Sequence, residues 1–319
     1  MNTFFLPREI RSIKAPPIKC QGIKTKLVKF IAASIKWDGV GRWIEPFLGS
    51  GVVLFNLQPE KALVADTNKH IITFYRDIQA RKINEVTVKA YLIEMGAKLL
   101  EGGADFYYEL RADFNENGGS LPFLFLNRCC FNGLMRFNSA GRFNVPFGHK
   151  PHRFSRAYIT KIVNQVAWIR TIIMRHDWQF EVADFQQTLS KANPEDFVYM
   201  DPPYIGRHTD YYNSWPEERA VELAEASRHL PCGFVLSMWK ENKYRVNDHI
   251  ERCWNEHTVA PFNHFYHVGP SESLRNEMVE ALVIRKGFEA LKRANTKSDF
   301  GLPPLLRVQA AGPIDSTSL

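Results

Sequence analysis

The sequence lacks the features that mark a disulfide-stapled, metal-stabilised or membrane-spanning protein. Its five cysteines are an odd number, include no Cys-x-x-Cys pair and lack the histidine spacing of a zinc site, so neither a disulfide framework nor a metal site is predicted. No apolar stretch approaches the ~18 residues of a membrane span, and the N-terminus lacks the apolar core and cleavage site of a signal peptide. These absences predict a soluble, cytoplasmic protein that does not contact a membrane.

Acidic residues are absent from one long segment. No aspartate or glutamate occurs from residue 117 to residue 176, whereas an even spread of the 34 acids over 319 residues would place about six there. The basic residues of this segment include Arg128, Arg136, Arg142, Lys150, Arg153, Arg156, Lys161, Arg170 and Arg175. The formal net charge of +7 is only mildly basic, so it is this concentration of charge that predicts a surface for a polyanion such as double-stranded DNA. A solvated basic face without a partner is the alternative.

A rigid turn follows one apolar run. The tetrapeptide Asp201-Pro202-Pro203-Tyr204 comes directly after Phe197–Met200, and the chain must leave the strand there because proline has no N–H for the strand ladder. The turn presents a carboxylate, a proline carbonyl and an aromatic ring at the edge where open α/β sheets hold their ligands. That combination suits a planar amine. By itself the tetrapeptide is equally compatible with an ordinary strand-to-loop turn.

A glycine motif, EPFLGSG at residues 45–51, precedes an apolar helix start. Its two glycines allow the backbone to approach a ligand closely. Leu54 takes the place of the third glycine of the dinucleotide fingerprint G-x-G-x-x-G, so pyrophosphate binding is not predicted. The next strand pattern ends at Asp66, a candidate for binding ribose hydroxyls. The residues alone leave open a second role for Asp66, as the N-cap of the following helix.

Together these motifs resemble the Dam-type (D12-class, alpha-group) S-adenosyl-L-methionine-dependent DNA adenine-N6 methyltransferases, in which the glycine motif precedes Asp-Pro-Pro-Tyr and a long insert separates them. The resemblance covers residues 17–287 and is most specific in NRCCFNGLMRFNSAGRFNVPFG, residues 127–148, which is similar to the family's DNA-reading hairpin. The residues alone also predict a hairpin here, with its turn at 139–141. The resemblance implies a sequence-specific, nucleoid-associated enzyme of a prokaryote or phage, either an orphan or the partner of a restriction endonuclease encoded elsewhere.

The resemblance also implies roles for individual residues. The residues expected to act on the target adenine are Asp201, Pro202 and Tyr204. Those expected to bind S-adenosyl-L-methionine are Lys24, Phe47, Gly49, Gly51, Asp66, Asp184 and Asp201. Those expected to contact DNA are Lys19, Arg128, Phe131, Asn132, Leu134, Arg136, Asn138, Pro146, Arg153 and Arg156. Cys20 departs from the family pattern because many relatives carry tryptophan there, so an aromatic contact to the cofactor is lost or supplied elsewhere.

The implied mechanism is direct methyl transfer to an adenine that has been flipped out of the duplex. The Asp201 side chain and the Pro202 carbonyl are expected to accept hydrogen bonds from the N6 amine, and Tyr204 is expected to stack on the base. Within the hairpin, residues 136 and 138 are expected to face base edges or nearby phosphates. Arg153 and Arg156 lie outside it and are expected to contact phosphates.

The periodicities predict an α/β fold, a doubly wound, mostly parallel, Rossmann-like methyltransferase sheet with an inserted, mainly helical DNA-recognition lobe that carries the hairpin. The predicted strands lie at 62–66, 197–200, 234–237 and 281–285, and the predicted helices at 26–35, 85–100, 105–115 and 217–229. The predicted units are a discontinuous catalytic domain at 17–80 and 166–287, a target-recognition lobe at 81–165 and a flexible tail at 288–319.

Three other functions are compatible with parts of the sequence. A cytosine-N4 methyltransferase would use a similar pocket, although more of those enzymes carry serine than aspartate at the first position of the tetrapeptide. A catalytically silent DNA-binding module of the same fold should have lost Gly49, Asp66, Asp201 or Tyr204, and all four are present. A small-molecule or protein methyltransferase would not need the acid-free basic segment.

Overall fold

The computed structural model describes residues 4–204, 215–242, 246–265 and 277–290. Within these residues seven strands form one sheet. The strands are β1 (Trp43–Glu45), β2 (Lys61–Asp66), β3 (Asp177–Val182), β4 (Phe197–Met200), β5 (Gly233–Asn242), β6 (Thr258–Phe265) and β7 (Glu277–Ile284). Their order across the sheet is β3-β2-β1-β4-β5-β7-β6.

The sheet is mostly parallel, which confirms the predicted α/β class. All neighbours from β3 to β5 pair in parallel, and β7 lies antiparallel to both β5 and β6. The chain moves outward from β1 through β2 to β3 and then returns to pair β4 with β1. Such a reversal of strand order leaves a crevice at the carboxyl ends of the two central strands, where open α/β sheets bind ligands.

Helices cover both faces of the sheet. The helices in the described part of the chain are α1 (Val28–Ser34), α2 (Val52–Leu57), α3 (Lys69–Gln79), α4 (Glu85–Asn117), α5 (Ser120–Cys129), α6 (Arg156–Ile173), α7 (Phe185–Leu189), α8 (Glu217–Arg228) and α9 (His249–Trp254), with 3-10 turns at Phe131–Gly133 and Pro151–Phe154. Side chains alternate between the faces along each strand. Trp43 and Phe197 therefore join the core under α1 to α6, whereas Ile44 and Val198 join the core under α7, α8 and α9.

The insert agrees with one prediction and corrects another. The two helices expected at 85–100 and 105–115 form within α4, which is interrupted at Gly103, where φ 54° and ψ −125° are not helical. Glycine adopts this backbone with little strain because it has no Cβ. The predicted lobe boundary after residue 165 is wrong, because it falls inside α6, where Ile162 and Val166 are buried in the same core as the sheet. The division into separate domains stays a prediction.

The predicted tail begins too early. Residues 288–290 return to the end of α1: the Phe288 carbonyl accepts a hydrogen bond from the Lys36 N–H (2.7 Å), and the Ala290 N–H donates to the Ser34 carbonyl (2.9 Å). Phe288 also packs against the core. The expectation for residues 291–319 lies outside the described residues. Among the described helices, none is long and apolar enough to cross a membrane.

Candidate active site

A pocket of about 610 Å³ lies at the carboxyl ends of β1, β2 and β4. Its lining residues fall between 20 and 24, between 45 and 53, between 66 and 71 and between 199 and 204. The hairpin adds Met135, Phe137 and Gly141 to the wall. The two sequence motifs, the N-terminal segment and the hairpin therefore meet at one place, which is the crevice that the strand order predicts.

The glycine motif forms the tight turn between β1 and α2. Gly49 and Gly51 have φ values of 51° and 69°, in the left-handed region that favours glycine. A Cβ on Gly51 would come within 2.7 Å of the Phe55 ring, whereas a Cβ on Gly49 would have only the Cys20 Sγ nearby, at 3.9 Å. Gly49 lines the pocket, and Gly51 shapes the turn from behind without lining it.

Asp66 links the glycine turn to the start of α3. Its Oδ2 accepts a hydrogen bond from the Gly49 N–H (2.9 Å), and its Oδ1 accepts one from the Asn68 N–H (2.8 Å). Burial raises the pKa of this carboxyl, and the two N–H donors act in the opposite direction. The helix is capped by Asn68, whose Oδ1 accepts the His70 N–H. The N-cap role left open for Asp66 therefore belongs to Asn68, and the Asp66 carboxylate lines the pocket.

Asp201 follows the last residue of β4 and is held by two side chains. Its Oδ1 lies 3.0 Å from the Lys24 Nζ and accepts a hydrogen bond from the Ser237 hydroxyl at 2.8 Å. Burial raises the pKa of Asp201, although Lys24 and Ser237 both lower it, and the nearby Glu280 raises it further. A carboxylate with a raised pKa is a better proton acceptor than an ordinary aspartate.

Lys24 and Tyr204 form the side of the pocket next to Asp201. Lys24 is 5% exposed, and its Nζ also donates to the Gly22 carbonyl (2.9 Å). The same ammonium lies 4.7 Å from the centroid of the Tyr204 ring, within the range of a cation–π contact. The Tyr204 hydroxyl donates to Oε1 of Glu280 at 3.0 Å.

Sequence reasoning missed three polar residues around Asp201. Ser237 on β5 and Glu280 on β7 are fully buried. Glu45 lies in the quoted glycine motif, where it was given no role; burial raises its pKa to about 8, despite a 2.7 Å hydrogen bond from the Trp43 Nε1. A polar residue within a buried strand could have identified these positions from the sequence, since buried polar side chains are retained only where they have hydrogen-bond partners.

The two remaining predicted cofactor residues occupy different environments. Phe47 lines the pocket and packs against Phe185 and Trp215, with ring centroids 5.8 Å and 5.6 Å away. Asp184 is not among the described residues that line the pocket. Its carboxylate caps α7 by accepting the Gln187 N–H (3.0 Å) and lies 3.4 Å from Arg219. The structure therefore gives Asp184 a capping role.

The predicted hairpin forms, but it begins later than expected. Residues 127–129 are the last residues of α5, and the two arms are bridged from Cys130 to Phe147 and from Phe137 to Phe143. The expected turn closes through a 2.8 Å hydrogen bond from the Gly141 N–H to the carbonyl of residue 138. The expected DNA contacts that lie exposed here are Phe131, Asn132 and Pro146, while Leu134, Arg136 and Asn138 are half-buried.

Internal hydrogen bonds hold the polar residues of the hairpin. The Arg136 Nε donates to Oδ1 of Asn144 (2.9 Å), and Oδ1 of Asn138 accepts the N–H groups of residues 140 and 142. Lys19 is attached to the hairpin base, because its backbone exchanges two hydrogen bonds with Asn127 and its side chain packs over Gly133. The hairpin and the N-terminal segment thus form one surface.

Arg128 was expected to contact DNA, but the structure buries its side chain. It is only 3% exposed, its Nη1 donates to the Pro17 carbonyl at 3.0 Å, and its guanidinium lies over the Tyr158 ring. From this position it does not reach a phosphate. Arg153 is half-buried and donates to the Arg128 carbonyl and the Tyr158 hydroxyl, whereas Arg156 is exposed at the start of α6.

Comparison with known proteins supplies the family. The D12 class N6 adenine-specific DNA methyltransferase family matches residues 21–267. The chain is 33% identical to a DNA adenine methylase of Serratia marcescens over 68% of the chain and 78% of that protein. It is 30% identical to the Type II methyltransferase M.MjaIII of Methanocaldococcus jannaschii over 59% of the chain and 68% of that protein. It is 26% identical to the Type II methyltransferase M1.LlaDCHI of Lactococcus lactis subsp. cremoris over 85% of the chain and 95% of that protein.

The matched residues include both motifs and the hairpin, and the family is specific for adenine rather than cytosine. The adenine-N6 prediction is confirmed over the cytosine-N4 alternative, and DNA is confirmed as the substrate. The chain belongs to the D12 class of N6 adenine-specific DNA methyltransferases, enzymes that methylate DNA adenine with S-adenosyl-L-methionine as the methyl donor.

Proposed function

We propose that this pocket is the active site, in which the carboxyl end of β4 acts on an adenine extruded from DNA while the glycine turn and Asp66 hold the cofactor. The observation that carries the proposal is the convergence of these groups with hairpin residues in one pocket. The N6 amine of a paired adenine lies inside the duplex, so a protein that acts on it must extrude the base. The hairpin wall of the pocket is the side from which a base bound by the hairpin would enter.

The pocket fits S-adenosyl-L-methionine on its donor set. The half-buried Asp66 carboxylate has further acceptor capacity for ribose hydroxyls beyond its two N–H bonds. The turn at Gly49 leaves the backbone accessible, Phe47 supplies an apolar wall, and the Lys24 ammonium suits the cofactor's carboxylate. Asp184 is left out of this set because it does not line the pocket. When bound, the cofactor supplies a methyl group activated by a positively charged sulfur.

Asp201, Pro202 and Tyr204 would orient the amine. Its nitrogen is a poor nucleophile because the lone pair is delocalised into the ring. Hydrogen bonds from the two N–H groups to the Asp201 carboxylate and the Pro202 carbonyl would favour a more tetrahedral nitrogen with a directed lone pair. Asp201 is also the available acceptor for the amine proton, since its pKa is raised. Tyr204 would stack on the base.

The hairpin would read the DNA sequence, and the exposed basic residues of α6 would bind phosphates. Phe131 and Pro146 are exposed on the hairpin, with Asn132 and Leu134 beside them. Arg136 and Asn138 carry the side chains that pair with guanine and adenine edges, and Lys19 extends the same surface. We place the enzyme in the cytoplasm of a prokaryote or phage-infected cell. The matches to Type II methyltransferases favour a partner restriction endonuclease, and the match to a DNA adenine methylase favours an orphan role.

Replacing Asp201 with alanine should abolish methylation while DNA and cofactor still bind. The change removes an acceptor used in the transfer geometry, so we expect a fall of at least about 10²-fold in the single-turnover rate. Ser237→Ala is the matched control, because it keeps the carboxylate and removes one hydrogen bond to it; its loss should be far smaller. Turnover of Asp201→Ala within tenfold of the unaltered enzyme would exclude this mechanism.

Replacing Asp66 with alanine should weaken cofactor binding by ~1.5 to 3 kcal/mol, the contribution of a hydrogen bond to a charged group. Titration calorimetry with S-adenosyl-L-methionine measures this loss. Asp184→Ala is the control: it removes a helix cap at a cost of about 1 kcal/mol in unfolding free energy but should leave the cofactor affinity within about twofold. Equal losses of affinity in the two variants would show that the assignment of these two acids is wrong.

The pH dependence of kcat should follow Asp201. Its raised pKa places the acid limb at a higher pH than an ordinary aspartate would, because the ionised form accepts the amine hydrogen bond. Lys24 lowers this pKa, so Lys24→Met should move the acid limb to higher pH. The profile is measured at saturating cofactor and DNA, so that the expected loss of cofactor affinity does not affect kcat. An acid limb that stays in place or moves to lower pH would contradict the assignment.

Arg136→Ala and Arg156→Ala should separate sequence reading from phosphate binding. Losing Arg136 should reduce discrimination between the preferred site and single-base variants by ~1 to 3 kcal/mol. Losing Arg156 should weaken all sites alike and reduce the slope of log affinity against log salt by about one. Methylation rates on the preferred site and its single-base variants measure both. If both variants lose activity uniformly across sites, Arg136 contacts only the DNA backbone and does not read the sequence.

A further inference from the structure

Glu280 is a buried acid that accepts a hydrogen bond from the Asp-Pro-Pro-Tyr turn. It lies on β7, is 1% exposed and is separated from Tyr204 by 76 residues of sequence. Its Oε1 accepts the Tyr204 hydroxyl at 3.0 Å. A carboxylate buried at this depth in a strand lowers stability unless it is hydrogen-bonded or paired, so its retention points to the group that it holds.

Two contacts fix the Tyr204 ring from different directions. Glu280 holds the hydroxyl at the far end of the ring, and the Lys24 ammonium lies over the ring at 4.7 Å from its centroid. Lys24 is itself held by Asp201 at 3.0 Å and by the Gly22 carbonyl at 2.9 Å. The orientation of the ring is therefore coupled to the carboxylate that follows β4.

We propose that Glu280 is a positioning residue, which holds the Tyr204 ring in the orientation that receives an extruded adenine beside Asp201. The inference rests on the proposed function, in which Tyr204 stacks on the target base. Glu280 acts through the hydroxyl and needs no contact with the base. A ring that is already oriented loses less conformational freedom when the base arrives, which favours the reactive geometry.

The charge of Glu280 adds a second effect on the same site. Among the described residues, the groups that interact with Asp201 include Lys24 from the N-terminal segment, Glu45 from β1, Tyr199 from β4, Ser237 from β5 and Glu280 from β7. Among them Glu280 raises the pKa of Asp201 and Lys24 lowers it. Removing the charge at position 280 should move the acid limb of kcat to lower pH, opposite to the shift expected for Lys24→Met.

The test compares Tyr204→Phe, Glu280→Ala, Glu280→Gln and the double variant Tyr204→Phe with Glu280→Ala in the full-length enzyme. Tyr204→Phe keeps the ring and removes only the hydroxyl. Both Tyr204→Phe and Glu280→Ala should lower the single-turnover methylation rate on a one-site duplex by about three- to tenfold. The double variant should lose no more than either single variant, because the two changes remove one shared hydrogen bond. Glu280→Gln keeps an acceptor oxygen, so it should retain most of the rate while its acid limb moves to lower pH.

Two results would overturn the inference. One is a double variant whose loss equals the product of the single losses, since Glu280 would then act independently of the Tyr204 hydroxyl. The other is a Glu280→Ala variant that methylates at the unaltered rate, since the orientation of the Tyr204 ring would then not depend on Glu280. Tyr204→Ala separates these failures from failure of the proposed function. If Tyr204→Ala methylates normally, the stacking role is wrong; if it is inactive while all Glu280 variants methylate at the unaltered rate, only the positioning role is wrong.

Discussion

The parallel pairing of β1 with β4 is the constraint on which the rest of the site depends. Trp43 pairs with Phe197 and Ile44 with Val198, so the two strands end side by side although about 150 residues separate them. The glycine turn continues from one strand and the Asp-Pro-Pro-Tyr turn from the other. The insert that carries the hairpin lies between these two strands in the sequence and packs on one face of the sheet. The proposed cofactor region, the proposed base region and the proposed DNA surface thus share one edge of the sheet.

The charges at this edge form a coupled set. Asp201 is paired with Lys24, and both Glu280 and Glu45 lie close enough for their charges to matter. Burial raises the pKa of Glu45 to about 8, and the nearby Asp201 raises it as well. Because a charge on either carboxyl disfavours a charge on the other, the two acids are expected to titrate together. Any change to one member of this set should be visible in the titration of another.

The acid-free segment shows how far a charge pattern in sequence predicts a surface. The segment contains the hairpin that we propose reads DNA, yet several of its arginines are used within the fold. Arg170 pairs with Glu85 and Arg142 pairs with Glu116, and both acids come from α4, outside the segment. Arg128 is buried against Pro17 and Tyr158. A segment that has no acidic residues in its sequence can still lie beside acidic side chains in the fold. Here α4 packs along the segment and supplies them.

Local sequence patterns predicted the backbone conformation of the site. They did not predict the contacts between residues that are far apart in the sequence. The strand ends at Asp66 and Met200 and the hairpin turn each follow from a few neighbouring residues, and the structure has them where the sequence indicates. Strands β3 and β6 were not predicted. The pattern of β6 contains Pro261 and polar residues, which suit an edge strand and weaken the strand signal. The contacts around the proposed catalytic residues, from Asp201 to Lys24, from Asp201 to Ser237 and from Tyr204 to Glu280, join separate strands and segments. Which strand lies beside β4 and β5 is decided by the order of the whole sheet, and no window of neighbouring residues specifies that order.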